Sequence, residues 1–408
     1  MNRRQTMTIK YEFRLGVLLA GLLLLSVVCI LPASASIDDK IIEKNYVSIK
    51  EAEMHAKTAL YDFLLIGAPG SNPTDWTNAT VNSDPLIIYD TNGKKLFYQF
   101  TVESNGINIG AIKVAASKVL GDPIRTIEFY SEDWDMKKEV ENTKKLIAKD
   151  HKNVNVTSSK VVCYSYPKIG IMVDMQESES KEEKNKLFDF SGSEIVDKSV
   201  NDTNSSEVAD AWSLYAEIPE KEIEERLVAW DEYDERATKI ADNNFKGDEV
   251  QLKIVGVQKT LPFTRYAQQN YYYCAPATGK MIANFYEVTH TQTYIAGIML
   301  VVMGLGTSVT DQLEYYEDSD GLDKDGSYID YSPTWTEAKT EIDNNRPLAT
   351  LISGHVRACA GYCQGADGNY YLYIYDPWSL NFGNDYRGGI YWEDWDSITH
   401  SHHIVVKD

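Results

Sequence analysis

Three β-rich runs joined by tight Asn-Gly turns restrict the N-terminal part of this chain to an antiparallel sheet. The runs PLIIYD and KLFYQFTVES flank the turn Thr91-Asn92-Gly93, and KLFYQFTVES and INIGAIKVAAS flank Asn105-Gly106. Asn-Gly between such runs favours hairpin turns, because both residues tolerate positive φ. The sequence therefore predicts an antiparallel meander, to which DPIRTIEFYS adds a further strand.

A helix precedes this meander, and a more charged region follows it. Residues 47–65 have apolar side chains at helical spacing, with Ser48 as N-cap and Glu51 three residues later, the pattern of a capping box. Residues 36–130 are thus predicted to form an α+β domain. In residues 131–250, KKEVENTKKLIAKDHK and EKEIEERLVAWDEYDERATKIADN predict helices, and KVVCYSYPKIGIMVDMQ predicts two strands. This region is interpreted as a second lobe or a linker.

The first 35 residues are predicted to be a signal peptide rather than part of the fold. Basic residues precede the apolar run GVLLAGLLLLSVVCILP, and Ala33-Ser34-Ala35 forms a small-x-small cleavage signal. An uncleaved anchor is the alternative. A net charge of −21 disfavours nucleic acid or an anionic membrane as partner. We expect an extracellular or cell-surface protein with no stable membrane span after signal cleavage.

The last domain is predicted to span residues 251–408, where charge falls and tyrosine, glycine and apolar residues increase. Its most informative stretch is QQNYYYCAPATGKMI, in which Cys274 precedes a run with helical spacing. A cysteine at a helix N-terminus is favoured as a thiolate by the helix dipole and the free N–H groups. Gln268, six residues earlier, can donate its amide to an oxyanion. A buried structural cysteine is the alternative.

A base and its partner are expected on two neighbouring strands. His355 follows Ser353-Gly354 at the start of HVRACAGYC, and the next strand, NYYLYIYDPW, ends at Asp376. Adjacent strands can place an imidazole and a carboxylate side by side, so that the carboxylate holds the ring tautomer. An ordinary turn at Asp-Pro-Trp is the alternative interpretation.

In the order Gln, Cys, His, Asp these segments resemble papain-like cysteine peptidases. The similarity is greatest to the bacteriocin-leader-processing and streptopain-like group, and it covers residues 262–400. The resemblance implies a papain-like fold in which the helix carrying the cysteine packs on an antiparallel sheet. It implies Cys274 as nucleophile, His355 as general base, Asp376 as orienting residue and Gln268 as oxyanion donor. Gln269 is the alternative donor. The family often has glycine where this chain has Ala275, whose methyl group is expected to crowd the oxyanion site.

The N-terminal domain loosely resembles the inhibitory-propeptide or PepSY-like modules that precede such peptidases. This resemblance implies a zymogen that is cleaved between about residues 200 and 262, with its own N-terminal region as inhibitor. A separate adhesion module is the alternative. A peptide or protein is the expected substrate.

Two acidic or histidine-rich motifs are interpreted as non-metal segments. In DSDGLDKDG, residues 318–326, Leu322 occupies a ligand position of a calcium loop, and no bidentate glutamate is available. In HSHH, residues 400–403, no carboxylate or thiol lies at metal-site spacing, although these histidines are the main rivals of His355. No cofactor or metal is expected, with calcium at residues 318–326 and zinc at residues 400–403 as the alternatives. Cys359 and Cys363 are too far apart on a strand to bridge and are predicted core residues.

Two further functions compete with the secreted cysteine endopeptidase. One is a catalytically silent papain-like binding or adhesion protein at the cell surface. The other is an amidase or transferase that uses the same three residues. Retention of Cys274, His355 and Asp376 together favours an enzyme, since a binding protein does not need all three.

Overall fold

The computed structural model describes residues 37–65, 76, 78–130, 136–151, 154–177, 183–195, 211–242, 258–365, 368–378 and 388–408. The predicted signal peptide, residues 1–35, lies outside the described residues. The described residues up to 242 are called the N-terminal region below, and residues 258–408 are called the C-terminal domain. No helix in the described residues is both long and apolar enough to cross a membrane.

The described α-helices lie in both parts of the chain. They are α1 (Asp39–Lys44), α2 (Ile49–Leu65), α3 (Met136–Asp150), α4 (Ile223–Asp242), α5 (Cys274–Phe285), α6 (Gln292–Ile298), α7 (Val309–Glu317) and α8 (Trp335–Asp343). Short 3₁₀ helices occur at Lys118–Leu120, Leu214–Glu217, Glu220–Glu222 and Trp395–Ser397. The helix α1 was not expected from the sequence.

The strands form one curled, mostly antiparallel sheet. They are β1 (Thr80–Val81), β2 (Leu86–Asp90), β3 (Lys95–Ser104), β4 (Ile107–Ala115), β5 (Ile124–Phe129), β6 (Val154–Ser165), β7 (Lys168–Glu177), β8 (Glu183–Phe188), β9 (Glu194–Ile195), β10 (Gln258–Thr260), β11 (Tyr328–Asp330), β12 (Leu348–Ile352), β13 (His355–Gln364), β14 (Tyr370–Asp376), β15 (Gly389–Asp394) and β16 (His402–Val405). Their order is β11-β16-β12-β13-β14-β15-β5-β4-β3-β2-β6-β7-β8-β9, with β1 paired to β3 and β10 paired to β13. Only the β2–β6 pair is parallel among the described strands.

The local signals of the N-terminal region are confirmed. The Ser48 hydroxyl accepts a hydrogen bond from the N–H of Glu51 at 3.1 Å, as a capping box requires. Gly93, Asn105 and Gly106 have positive φ, at the turns that connect β2 to β3 and β3 to β4. The expected strand pair around Pro167 is β6 and β7, which pair in antiparallel orientation.

The sheet crosses from the N-terminal region into the C-terminal domain without a break. Strand β15 pairs with β5, where Tyr391 opposes Glu128 and Glu393 opposes Thr126. One main hydrophobic core contains buried residues of both parts, from Ile37 to Val406. The structure is therefore a mixed α/β arrangement in which the two parts share a sheet and a core.

Candidate active site

Cys274 begins helix α5 and is partly exposed. The first N–H groups of a helix have no intrahelical acceptor, so they and the helix dipole favour an anion at this position. One turn later, the Thr278 hydroxyl donates to the carbonyl oxygen of Val356 at 3.2 Å, which attaches α5 to the start of β13. The helix thus holds the thiol beside the first residue of that strand.

His355 and Asp376 lie at the adjacent ends of two paired strands, as expected. His355 begins β13 after a turn in which Gly354 has a φ of +66°, a conformation that favours glycine. Asp376 ends β14, which pairs with β13. The His355 Nε2 and the Asp376 Oδ1 are 2.7 Å apart, and both side chains are buried. The carboxylate therefore holds the ring through Nε2, and Nδ1 is the ring nitrogen that this bond leaves available.

The protonation of Cys274 and His355 is set by their pairing. Burial alone would raise the pKa of the Cys274 thiol, but the neighbouring His355 ring and the charges of His355 and Lys168 outweigh it, so the pKa is lowered. Burial would lower the pKa of the His355 ring, but the charge and hydrogen bond of Asp376 and the contact with Cys274 raise it above its ordinary value. These opposite shifts favour a thiolate–imidazolium pair.

The Asp376 carboxylate is held in its charged form by several donors. Besides the His355 ring, its Oδ1 accepts from the N–H of Trp378 at 2.8 Å, and its Oδ2 accepts from the Tyr391 hydroxyl at 2.7 Å. Burial would raise the pKa of Asp376, but the charge and hydrogen bond of His355 and the charge of Arg357 lower it. A carboxylate with this many donors has little freedom to rotate away from the imidazole.

A buried polar network connects Asp376 to the N-terminal region. Arg357 Nη1 donates to Glu393 Oε1 at 2.6 Å and to the Tyr391 oxygen at 3.4 Å. The Tyr166 hydroxyl, from the β6–β7 turn, donates to the same Glu393 Oε1 at 2.9 Å. All five side chains are buried. The orienting carboxylate is therefore linked through Tyr391, Arg357 and Glu393 to a residue about 200 positions earlier in the chain.

A second residue of the same turn approaches the site. The Lys168 ammonium lies 4.8 Å from the centroid of the Trp378 ring, a cation–π distance. The Trp378 ring meets the His355 ring edge-on, with 6.4 Å between centroids. The β6–β7 turn, residues 165–168, thus packs on the side of the site that carries His355.

Gln268 is buried, whereas its neighbour Gln269 is exposed. The N–H of Gln268 donates to the carbonyl oxygen of Pro377 at 2.8 Å, and its Nε2 donates to the Asn270 carbonyl oxygen at 2.7 Å. An amide nitrogen carries two hydrogens, so one N–H of Gln268 is not used by this bond. The loop therefore presents Gln268, and not Gln269, from a fixed position next to the end of β14.

Sequence reasoning missed the buried charged residues around the site. Arg357 and Glu393 are fully buried, and the other residues of their strands are mostly apolar. An arginine inside HVRACAGYC was the available signal, because a buried charge needs a partner. Lys168 and Tyr166 had no such signal, since their proximity depends on contacts between distant parts of the chain.

The histidines that rival His355 pack against other aromatic rings, His400 and His403 against Trp395 and His402 against Tyr331. His400 Nδ1 lies 3.0 Å from the Thr350 hydroxyl, and its ring stacks on Trp395 at 4.3 Å. Burial lowers the pKa of His400, and it lowers that of His403 to about 4. In the acidic loop, Leu322 is buried, so this position faces the core.

One group of metal-ligand type occurs in the described part of the chain. It consists of Glu51, His55 and Asp234. The Lys118 ammonium pairs with Glu51 at 3.0 Å and with Asp234 at 2.8 Å, and His55 Nε2 lies 2.8 Å from Asp234. A salt-bridge cluster explains this arrangement. The four cysteines that the structure describes are all free, and Cys359 and Cys363 are buried, as predicted.

Residues 260–401 match the model of the Peptidase_C39 like family. The matched segment is about a third of the chain and contains Gln268, Cys274, His355 and Asp376. No curated protein matches the chain. The match supports a relationship to papain-like cysteine peptidases and, at the level of the family, a hydrolase of the peptidase type.

Proposed function

We propose that this chain is a cysteine endopeptidase in which Cys274, His355 and Asp376 form a catalytic triad. One observation carries the proposal. The His355 ring is bonded through Nε2 to Asp376 at 2.7 Å, its buried Nδ1 has no hydrogen-bond partner in the described residues, and the Cys274 thiol lies near enough to the ring for each group to shift the pKa of the other. A nucleophile, a base and a group that orients the base therefore stand in sequence, which is the arrangement that nucleophilic catalysis needs.

The reaction begins from the thiolate–imidazolium pair. The Cys274 sulfur attacks the peptide carbonyl carbon, a C–S bond forms, and the carbonyl oxygen becomes an oxyanion. His355 then gives its proton to the leaving nitrogen as the C–N bond breaks, which leaves an acyl-enzyme. Water, deprotonated by His355, attacks the acyl carbon, and the thiolate departs with the imidazole again protonated.

Asp376 and Gln268 support this chemistry in different ways. Asp376 holds the tautomer and orientation of His355 and stabilises the imidazolium. Gln268 Nε2 and the N–H of Cys274 donate to the oxyanion, since the latter is the first N–H of a helix and lacks an intrahelical acceptor. The burial of Gln268 and the exposure of Gln269 favour Gln268 for this role.

The proposal includes export and latency. The signal-like segment before residue 36 supports secretion or surface attachment. The β6–β7 turn beside His355 and Trp378 supports an N-terminal region that restricts access to the site, so that cleavage before residue 262 produces the active form. Peptides or proteins are the proposed substrates, and no cofactor is needed for the steps above.

The proposal is tested by labelling the full chain without its first 35 residues with a thiol-directed peptidyl acyloxymethyl ketone. Wild type is expected to gain one label, located at Cys274 by peptide mass, and Cys274→Ala is expected to gain none. Cys359→Ala is the matched control and should label normally, because burial raises the pKa of that thiol to about 12.

Self-processing is followed in the same samples by intact mass. Loss of the N-terminal region in wild type alone supports both peptidase activity and latency. Labelling without processing supports the peptidase and contradicts the hypothesis that the chain activates itself. Absence of labelling at Cys274, both in the intact chain and after limited proteolysis ahead of residue 262, contradicts the peptidase and leaves the silent binding protein.

A further inference from the structure

The Gln268 loop has little regular structure of its own. Residues 261–273, between β10 and α5, contain no helix or strand. A donor that stabilises an oxyanion must nevertheless be held close to its required position, because misplacement by about 1 Å can cost about 100-fold in rate. Some other element must therefore fix this loop relative to Cys274.

The side chain of Gln292 holds the loop in place. Gln292 is the first residue of α6 and is completely buried. Its Nε2 donates to the carbonyl oxygen of Ala267 at 2.7 Å, and its Oε1 accepts from the N–H of Gln269 at 3.1 Å. The amide therefore bonds the residues on both sides of Gln268. Because a carbonyl must accept and an N–H must donate, only one orientation of the Gln292 amide satisfies both.

Helix α6 is in turn packed closely against α5, the helix that begins with Cys274. A Cβ atom placed on Gly279 of α5 would lie 3.1 Å from Met299 Cε and 3.2 Å from Ile295 Cγ2. This contact is closer than side chains larger than glycine allow without a shift. The separation of the two helices therefore fixes where Gln292 stands relative to the nucleophile.

We propose that Gln292 is a positioning residue, which sets the distance between the oxyanion donor Gln268 and the nucleophile Cys274. It does so by fastening the 267–269 loop to α6, while the Gln268 N–H fastens the same loop to Pro377, next to Asp376. The inference rests on the proposed function. Neither the family match nor the sequence pattern assigned a role to Gln292.

The test uses the full chain with Gln292→Met. This substitution keeps the length of the side chain and removes both hydrogen bonds. We expect kcat on a peptide substrate to fall about tenfold with KM unchanged, because an oxyanion donor acts in the transition state. Affinity for a peptide aldehyde should fall by a similar factor, because the thiolate adds to the aldehyde carbon and its oxygen then occupies the oxyanion position. Alkylation of Cys274 by iodoacetamide should keep its rate, since that reaction forms no oxyanion.

Gln312→Met is the matched control. Gln312 is also a buried glutamine of the C-terminal domain, but its Oε1 has no partner in the described residues. This variant should keep the kcat and the aldehyde affinity of wild type. If Gln312→Met loses as much kcat and aldehyde affinity as Gln292→Met, the loss follows from removing any buried glutamine of this domain, and the inference is wrong.

A second variant guards against misfolding of the first. In Gln292→Glu the carboxyl group can accept from the Gln269 N–H at any pH, but it can donate to the Ala267 oxygen only when protonated. The kcat of this variant relative to wild type should therefore rise as the pH is lowered. A ratio that stays constant with pH, or wild-type kcat in both variants, overturns the positioning role. A wild-type chain that neither cleaves peptides nor binds the aldehyde, both before and after cleavage ahead of residue 262, instead refutes the peptidase proposal itself.

Discussion

At the scale of single residues, the site depends on how strongly Asp376 stabilises a charged His355. The ring is buried, and burial would remove its proton if the carboxylate were absent. The pKa of the Cys274 thiol is lowered chiefly by that same ring, against burial. The reactivity of Cys274 therefore depends on the charge of Asp376, although no described hydrogen bond joins the two residues.

Asp376→Asn should move thiol reactivity to higher pH. Without the carboxylate charge the pKa of His355 falls, the imidazolium is lost, and the pKa of Cys274 rises towards that of a buried thiol. The alkylation rate of Cys274 at pH 7 should fall, and its rise with pH should shift to the alkaline side. Peptide hydrolysis should fall about 10²–10⁴-fold, as expected when a triad loses its orienting charge.

This profile is measured by mass spectrometry of the peptide that contains Cys274, after timed exposure to iodoacetamide at a series of pH values. Asp320→Asn is the control, because Asp320 is exposed and its carboxylate makes none of the bonds around the site. An unchanged profile in Asp376→Asn would mean that the carboxylate does not set the charge of His355.

At the scale of elements, sequence predicts what is decided locally. The Asn-Gly turns, the capping box at Ser48 and the helix at Cys274 depend on backbone preferences within a few residues, and the structure has all of them. The proximity of His355 and Asp376 also followed, because consecutive strands pair. The pairing of β15 with β5 did not follow, since nothing local joins strands more than 250 residues apart.

The contact between α5 and α6 is an element-scale property that a single methyl group tests. Gly279→Ala places a Cβ 3.1–3.2 Å from Met299, Ile295 and Tyr315 atoms, so the helices must separate by a few tenths of an ångström. We expect the free energy of unfolding to fall by about 1–3 kcal/mol, as in other overpacked cores. The midpoint of urea unfolding measures the loss.

Gly297→Ala on α6 is the matched control for Gly279→Ala. A Cβ at Gly297 meets nothing within 4 Å, so alanine should be neutral or should stabilise the helix by up to about 1 kcal/mol. If both variants behave alike, the close approach at Gly279 does not limit the packing of the two helices. The kcat of Gly279→Ala should fall with its stability if α6 positions the Gln268 loop.

At the scale of the whole molecule, the N-terminal region and the C-terminal domain are joined by buried contacts, and we expect them to unfold as one body. They share a sheet through β5 and β15, a hydrophobic core, and the buried bond between Tyr166 and Glu393. Buried ionic networks cost free energy when one partner is removed. If cleavage releases the N-terminal region, as proposed, Glu393 and Arg357 come to lie at a new surface, and we expect rearrangement around them.

Tyr166→Phe isolates the polar part of this junction. It removes a hydroxyl that donates to the buried Glu393 carboxylate at 2.9 Å and keeps the ring, so we expect the free energy of unfolding to fall by about 1.5–3 kcal/mol. Tyr164→Phe is the matched control two residues earlier. The Tyr164 hydroxyl is buried and has no partner in the described residues, so its removal should be neutral or stabilising.

Urea unfolding followed by tryptophan fluorescence distinguishes one body from two. Tyr166→Phe should shift a single cooperative transition, because Trp230 of the N-terminal region and Trp392 of the C-terminal domain are buried in the same hydrophobic core. Adding Glu393→Gln should cost less in the Tyr166→Phe background than in wild type, since the two side chains are bonded. Two separate transitions, with only one of them moved by Tyr166→Phe, would show that the N-terminal region folds on its own. The shared sheet would then be a docking contact that cleavage can undo without disturbing Asp376.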